Sequence, residues 1–371
     1  MFANIETPAL ILDAAKVGRN CARMRERVLG HGVVLRPHVK TAKSVEVTQL
    51  ALGAPHGAIT VSTLREAEYF FDHGFRDILY AVGMVAAKVA RVAALERRGA
   101  RVSTIVDSVE AACALVEASR KENVRIPTMV EMDSDGHRSG IAPGDERLFA
   151  VADALGDSLL GVMTHAGGSY NCDSTAAIRQ AAAREREAVV NAAAALRTRG
   201  HACSVVSVGS TPTATFADSF AGVTEVRTGV YMFHDLVMAG LGVCALEDIG
   251  ISVLASVIGH QREKNWVLVD AGWTALSRDH GTAKQKVDQG YGLVCDAWGS
   301  PVDELIVAEA NQEHGIVARR DGGVVDFARY PIGTLLRILP NHACATASQH
   351  CEYKVIRDGR IAETWDRFGG W

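Results

Sequence analysis

The chain has 371 residues, 48% of them apolar and 22% charged, and its 39 Lys and Arg against 43 Asp and Glu give a formal net charge of −4. That length calls for one large barrel or two domains with ample core, in a composition typical of soluble globular proteins. The slightly acidic balance and the lack of any long basic run exclude a nucleic-acid or anionic-membrane partner and leave small polar ligands open.

The N-terminal stretch MFANIETPAL lacks the basic and apolar regions of a signal peptide, and the eight cysteines are scattered with no CxxC pair. Both features point to a reducing, cytoplasmic compartment. No run of 18 uncharged apolar residues occurs; the nearest, 241–259, is interrupted by Glu247 and Asp248, so an integral membrane protein is not expected. Short apolar, β-branched runs then recur at 33–40, 58–63, 77–83, 102–107, 126–133, 159–165, 205–210 and 225–231. Ala-, Glu- and Arg-rich stretches with helical spacing lie between most of them, at 64–73, 86–98, 109–121 and 175–199. Such alternation implies a parallel sheet, and eight repeats make an α/β fold of the (β/α)8 TIM-type barrel class, placed at residues 10–240. The seventh interval, 211–224, is short and argues only weakly for a helix.

After Met238 the runs alternate without long helical intervals, and the pairs Asp321-Gly322 and Asp358-Gly359 punctuate them like hairpin turns. A C-terminal all-β domain is therefore expected at residues 241–371, with the extended residues 1–9 joining it.

In a barrel, active sites gather at the carboxyl ends of the strands. The first run, VVLRPHVK, places Lys40 there, and the same rim receives Arg138 from EMDSDGHRSG, His165 and Tyr170 from THAGGSY, Ser210 and Thr211 from VSVGSTPT, and Arg227, Gly229 and Val230 from EVRTGVY. A lone lysine at a strand end is ordinarily a solvated residue. Small residues after the seventh and eighth strands, however, are the usual phosphate cradle of a barrel. An amine opposite a phosphate site suggests pyridoxal 5'-phosphate, with Lys40 for its Schiff base, Ser210, Thr211, Gly229 and Val230 for its phosphate, Arg227 at its ring nitrogen and Arg138 at its phenolic oxygen. His38 reads as a support for Lys40, and Lys43 as a surface lysine.

The motifs RPHVKT, EMDSDGHRSG, THAGGSY, VSVGSTPT, EVRTGVYMF and PNHACAT, in this order and across nearly the whole chain, resemble the fold-type III pyridoxal-phosphate enzymes, the alanine racemase-like barrels of the D-serine dehydratase and D-threonine aldolase group. The resemblance implies a barrel with a C-terminal β domain, a homodimer, Lys40 as the Schiff-base lysine and a divalent metal. Locally, His342 and Cys344 stand two apart, so on an extended segment both point to one face, and imidazole with thiolate suits zinc, with manganese, cobalt or magnesium as further candidates.

In that group His-x-Cys accompanies dehydratases and His-x-Asp the aldolases. The expected activity is accordingly the metal-assisted dehydration of a 3-hydroxy-D-amino acid, of the D-threo-3-hydroxyaspartate or D-serine type, to a 2-oxo acid and ammonia, with Lys40 as base at the α-carbon. Three alternatives stay open: retro-aldol cleavage to glycine and an aldehyde with His165 as base, a racemase, and a pyridoxal-phosphate-binding protein without catalysis.

Overall fold

A computed structural model describes residue 2 and residues 4–371. The chain forms two compact units, one of residues 1–20 and 230–369, the other of residues 21–229 with 370–371. Strand β1, Ala9–Asp13, belongs to the first unit.

The second unit contains eight strands: β2 Val34–Pro37, β3 Ile59–Val61, β4 Asp77–Gly83, β5 Arg101–Val106, β6 Thr128–Met132, β7 Leu159–Thr164, β8 Val205–Val208 and β9 Glu225–Thr228. They pair in parallel in the order β2-β9-β8-β7-β6-β5-β4-β3, and a parallel bridge from His38 to Thr60 joins the two ends of the sheet. Each run expected from the sequence is a strand, because each is apolar enough to be buried on both faces as parallel strands are. Helices Leu64–Asp72, Val109–Lys121 and Thr175–Thr198 fall where their spacing put them, and the short seventh interval carries a six-residue helix, Thr211–Phe216.

Two strand ends need correction. The first strand stops at Pro37 rather than residue 40, and the last stops at Thr228 rather than 231, followed by a 3-10 turn at Val230–Met232. In both places turns take over at the rim, so Lys40 and Val230 sit on turns while Arg227 stays within its strand.

The first unit is antiparallel around β10 Ile251–Gln261, β11 Trp266–Val269, β12 Leu293–Cys295, β13 Pro301–Ala310, β14 Gly315–Arg319, β15 Leu335–Leu339, β16 Glu352–Arg357 and β17 Arg360–Asp366. Strands β10, β11, β14, β13, β12 and β15 close on one another in a ring. The eleven-residue β10 pairs with β1 through residues 251–254 and with β11 through residues 257–261, and a β-bulge between Val257 and Gly259 interrupts the β11 pairing. Strand β1 pairs with β10 antiparallel and with β16 parallel, so the N-terminal strand is interior to this sheet. Asp358-Gly359, with φ of 49° and 73°, is the two-residue hairpin turn between β16 and β17. Asp321-Gly322 makes a turn but no hairpin, since the next strand begins only at Leu335.

No helix among the described residues is long and apolar enough to cross a membrane.

Candidate active site

In the barrel unit, Lys40 occupies a turn built to hold it. His38 N donates to Thr228 O at 2.8 Å and Val39 N to Thr60 O at 2.9 Å, while Ala42 N and Lys43 N both return to Val39 O. Val39, Thr41, Ala42 and Ser44 are fully buried and Lys40 is exposed. A turn pinned by every neighbour that leaves one amine outward differs from a frayed strand end.

Lys43 departs from its expected place on the surface. It adopts a left-handed φ of 46° and pairs at 3.3 Å with Glu66, a carboxylate with no exposure that also accepts from Ser62 N. Burial raises the Glu66 pKa, and the Ser62 N–H and Lys43 hold it back. His38 lies under the turn. Burial, then Lys40, Arg227 and His165, keep its pKa well below the ordinary histidine value, and its Nδ1 has no hydrogen-bond partner among the described residues.

Arg227 is buried at 4% exposure. Its Nε donates to Ser207 Oγ at 2.7 Å and its Nη2 to the Thr164 carbonyl at 2.5 Å. Ser207 Oγ donates on to Glu225, which also receives Arg36 at 2.7 Å, and Arg36 reaches Asp77. A guanidinium fixed in this way is a rigid cation. Neither Glu225 nor Asp77 stood out in the sequence, because carboxylates at strand starts read as turn residues. Arg138 is exposed and lies 3.6 Å from the buried Glu131.

His165 Nδ1 lies 2.6 Å from the Gly209 carbonyl, which can only accept, so Nδ1 carries the hydrogen and Nε2 the lone pair. Burial pulls its pKa down to about 3; the Gly209 bond opposes this, and Lys40, Arg227 and Arg138 add to the fall. Tyr170 lies beside it, ring centroids 6.3 Å apart. Ser210 Oγ caps helix Thr211–Phe216 and bonds Ser169 Oγ at 2.8 Å, and Thr211 Oγ1 bonds Thr228 Oγ1 at 2.6 Å. At Gly229 an added Cβ would lie 2.5 Å from His38 O.

Because the folded protein leaves His165 neutral down to about pH 3 while the unfolded chain protonates near 6.5, stability is complete above about 6.5 and falls as pH drops toward 3. At pH 4 the loss from this residue is expected to be about 3 kcal/mol. His165→Asn, which keeps a donor for Gly209 and cannot titrate, should flatten that limb in urea denaturation of the apoprotein at pH 7, 5 and 4. Parallel curves for the two proteins would refute the assignment.

In the β unit, His342 is the N-cap of the short helix Ala343–Ala347 and Cys344 lies in its first turn, which corrects the extended segment expected there. The two side chains still meet, since the cap and first turn bring them together. His342 Nδ1 is 3.3 Å from Asp279 Oδ2. The buried Asp235 accepts from Ala343 N, between the two residues, and from Met238 N, each at 2.9 Å. Burial opposes a charge on His342, but Cys344, Asp279 and Asp235 outweigh it and push its pKa up to about 11. The carboxylates of Asp279 and Asp235 thus stand near an imidazole and a sulfur, two soft donors. No group of three or more His, Cys, Asp or Glu residues among those described converges as a metal cage. Asp279, 63 residues before His342, carried no spacing signal by which the sequence reading would have found it.

Residues 12–236 match the model of the alanine racemase N-terminal domain, and residues 250–356 that of a putative serine dehydratase domain. The chain is 51% identical to D-threo-3-hydroxyaspartate dehydratase of Delftia sp. (strain HT23), covering 99% of this chain and 98% of that one. It is 31% identical to D-serine dehydratase of Dictyostelium discoideum over 96% and 94%. Among solved structures, a mutant of D-threo-3-hydroxyaspartate dehydratase in the metal-free form matches with a TM-score of 0.96 at 50% identity, covering 99% of each chain. With a closed parallel barrel and an antiparallel β unit matching these two models in turn, the chain belongs to the alanine racemase-like family of D-serine dehydratases.

Proposed function

We propose that this protein is a pyridoxal-phosphate- and divalent-metal-dependent dehydratase of 3-hydroxy-D-amino acids, of the D-threo-3-hydroxyaspartate type, acting as a cytoplasmic homodimer. The observation that carries the reading is the 51% identity to a dehydratase of that substrate along the whole chain. The cofactor fits the residues present. Lys40 is the one exposed residue of a buried turn, His38 Nδ1 lies buried without a bond, and backbone runs close at Gly209 and Gly229, where no side chain fits. A cation fits the donor set of His342 and Cys344, with the Asp279 carboxylate 3.3 Å from the imidazole; the existence of a metal-free form of a related dehydratase supports a resident metal.

When bound, pyridoxal phosphate supplies the aldehyde that captures the substrate amine and a ring that shares the electron pair of the α-carbon. A divalent cation supplies a Lewis acid for the departing β-hydroxyl. Lys40 Nζ takes the α-proton. Arg227, held by Ser207 and the Thr164 carbonyl, would partner the ring nitrogen and keep a proton off it, because two cations in a shielded site repel. Arg138 would donate to the phenolic oxygen, and Ser210, Thr211 and Gly229, with the adjoining Val230, would hold the phosphate. Tyr170, beside His165, would help hold the cofactor. His165, with Nδ1 bonded to the Gly209 carbonyl, presents Nε2 as an acceptor. Loss of hydroxide and hydrolysis of the released enamine yield the 2-oxo acid and ammonia.

The test incubates the enzyme separately with D-serine, D-threonine and D-threo-3-hydroxyaspartate and scores ammonia plus 2-oxo acid against glycine plus aldehyde. Ammonia is expected, with the hydroxyaspartate fastest. Dialysis against a chelator should lower the rate at least about 100-fold, and zinc or manganese should restore it. Glycine as product would move the activity to retro-aldol cleavage, and pyridoxal phosphate binding without turnover would make this a cofactor-binding protein.

A further inference from the structure

Helix Thr175–Thr198 buries one face of small and apolar residues: Ile178, Ala181, Ala182, Ala188, Val189 and Ala192. In the middle of that face stands Glu185, at 2% exposure. Burying a carboxylate is costly unless hydrogen bonds compensate for the lost water. Those bonds go to two loops of the barrel rim: Oε1 accepts the Ala166 N–H at 3.1 Å and the Gly209 N–H at 3.0 Å. The Thr213 hydroxyl adds a third bond.

The two amides are informative choices. Ala166 directly follows His165, and Gly209 directly precedes Ser210. The Gly209 carbonyl in turn accepts from His165 Nδ1. A closed ring results, running from Glu185 to the Gly209 peptide, to the His165 ring, along the chain to Ala166 and back to Glu185. A second brace, Ser169 Oγ to both Ala166 O and Ser210 Oγ, ties the same loops together. Burial raises the Glu185 pKa and the three bonds hold it back, so the side chain serves mainly as an acceptor, a role its amide analogue also fills.

We propose that Glu185 is a positioning residue for the cofactor site: by fixing the Gly209 peptide it sets the Nδ1–H tautomer of His165 and the pose of the Ser210–Thr211 turn together. The inference rests on the reading of His165 and that turn as parts of a pyridoxal-phosphate site.

Three variants separate hydrogen bonding from charge and from bulk. Glu185→Gln keeps an acceptor at the same reach, Glu185→Asp keeps the charge and withdraws the acceptor by one methylene, and Glu185→Ala removes both. Two readouts apply. One is titration of each full-length apoprotein with pyridoxal 5'-phosphate, followed by absorbance; the other is 15N NMR of histidine-labelled apoprotein, with His165 assigned from the spectrum of His165→Asn.

Glu185→Gln should bind the cofactor within about threefold of the parent and keep a single Nδ1–H tautomer. Glu185→Asp and Glu185→Ala should each bind at least about tenfold more weakly and show a mixed tautomer. Should Glu185→Ala not fold, the contrast between the Gln and Asp variants decides the matter. An Asp variant equal to the parent, or a Gln variant as weak as Asp, overturns the proposal. A parent protein that fails to bind pyridoxal phosphate overturns the cofactor reading alone, and the tautomer measured on the apoproteins still tests Glu185.

Discussion

Lys40→Ala should lower kcat on D-threo-3-hydroxyaspartate by about 10⁴-fold or more while leaving the urea midpoint nearly unmoved. The substitution removes the amine assigned both the covalent and the proton-transfer role, and general base catalysis by itself is worth about 10²–10⁴-fold. Because the side chain is exposed and its turn is held by backbone bonds, stability should change by no more than about 0.5 kcal/mol. Lys43→Ala supplies the opposite pattern. It leaves Glu66 buried without its cation, at a cost of about 3 kcal/mol, with a far smaller effect on kcat in the protein that remains folded. Steady-state kinetics and urea denaturation of the two variants side by side check the assignment. If Lys43→Ala is the inactive one, the Schiff-base lysine has been placed three residues too early.

Gly209→Ala should cost about 4 kcal/mol or more and abolish cofactor binding in whatever protein folds. An added methyl there would sit 1.6 Å from the Arg227 carbonyl oxygen and 2.5 Å from its carbon. These are backbone atoms of adjacent strands, which cannot rotate away as a side chain would, so β8 and β9 would have to separate where the barrel carries its site. Gly18→Ala is the matched control: nothing lies within 4 Å of its added Cβ, and it stands inside helix Ala14–Gly30. There the change should stabilise by about 0.5–1 kcal/mol. Urea denaturation of both variants gives the comparison, and a Gly209→Ala midpoint within error of the parent would contradict the close approach described here.

The barrel was legible because its physics is local. Runs such as 77–83 and 109–121 carry their own period, and strand Asp77–Gly83 and helix Val109–Lys121 occupy those residues in the structure. Turns were less legible, since Lys40 looks like a strand end only until Pro37 is seen to close the ladder and His38 to bridge to Thr60. Buried carboxylates were missed for a related reason. Glu66 and Glu185 lie in Ala-, Glu- and Arg-rich stretches whose helical spacing was read without singling out any one acid. For Glu185 a signal was nevertheless present: the three- and four-residue steps from Ile178 through Ala181, Glu185, Ala188, Ala192 and Leu196 place it on the apolar stripe. An acidic residue in such a stripe is worth singling out. Asp279 offered nothing comparable, because only tertiary folding brings it to His342.

The place of β1 bears on how the polypeptide matures. The strand is made before the barrel, yet its partners, at residues 251–254 and 354–356, follow only after the whole barrel. Throughout elongation it stays an unsatisfied edge, while the barrel that follows can already assemble. Deleting a dozen N-terminal residues would therefore unseat an interior strand of the late-forming half, and a fragment beginning at Val230 would lack the piece that joins β10 to β16.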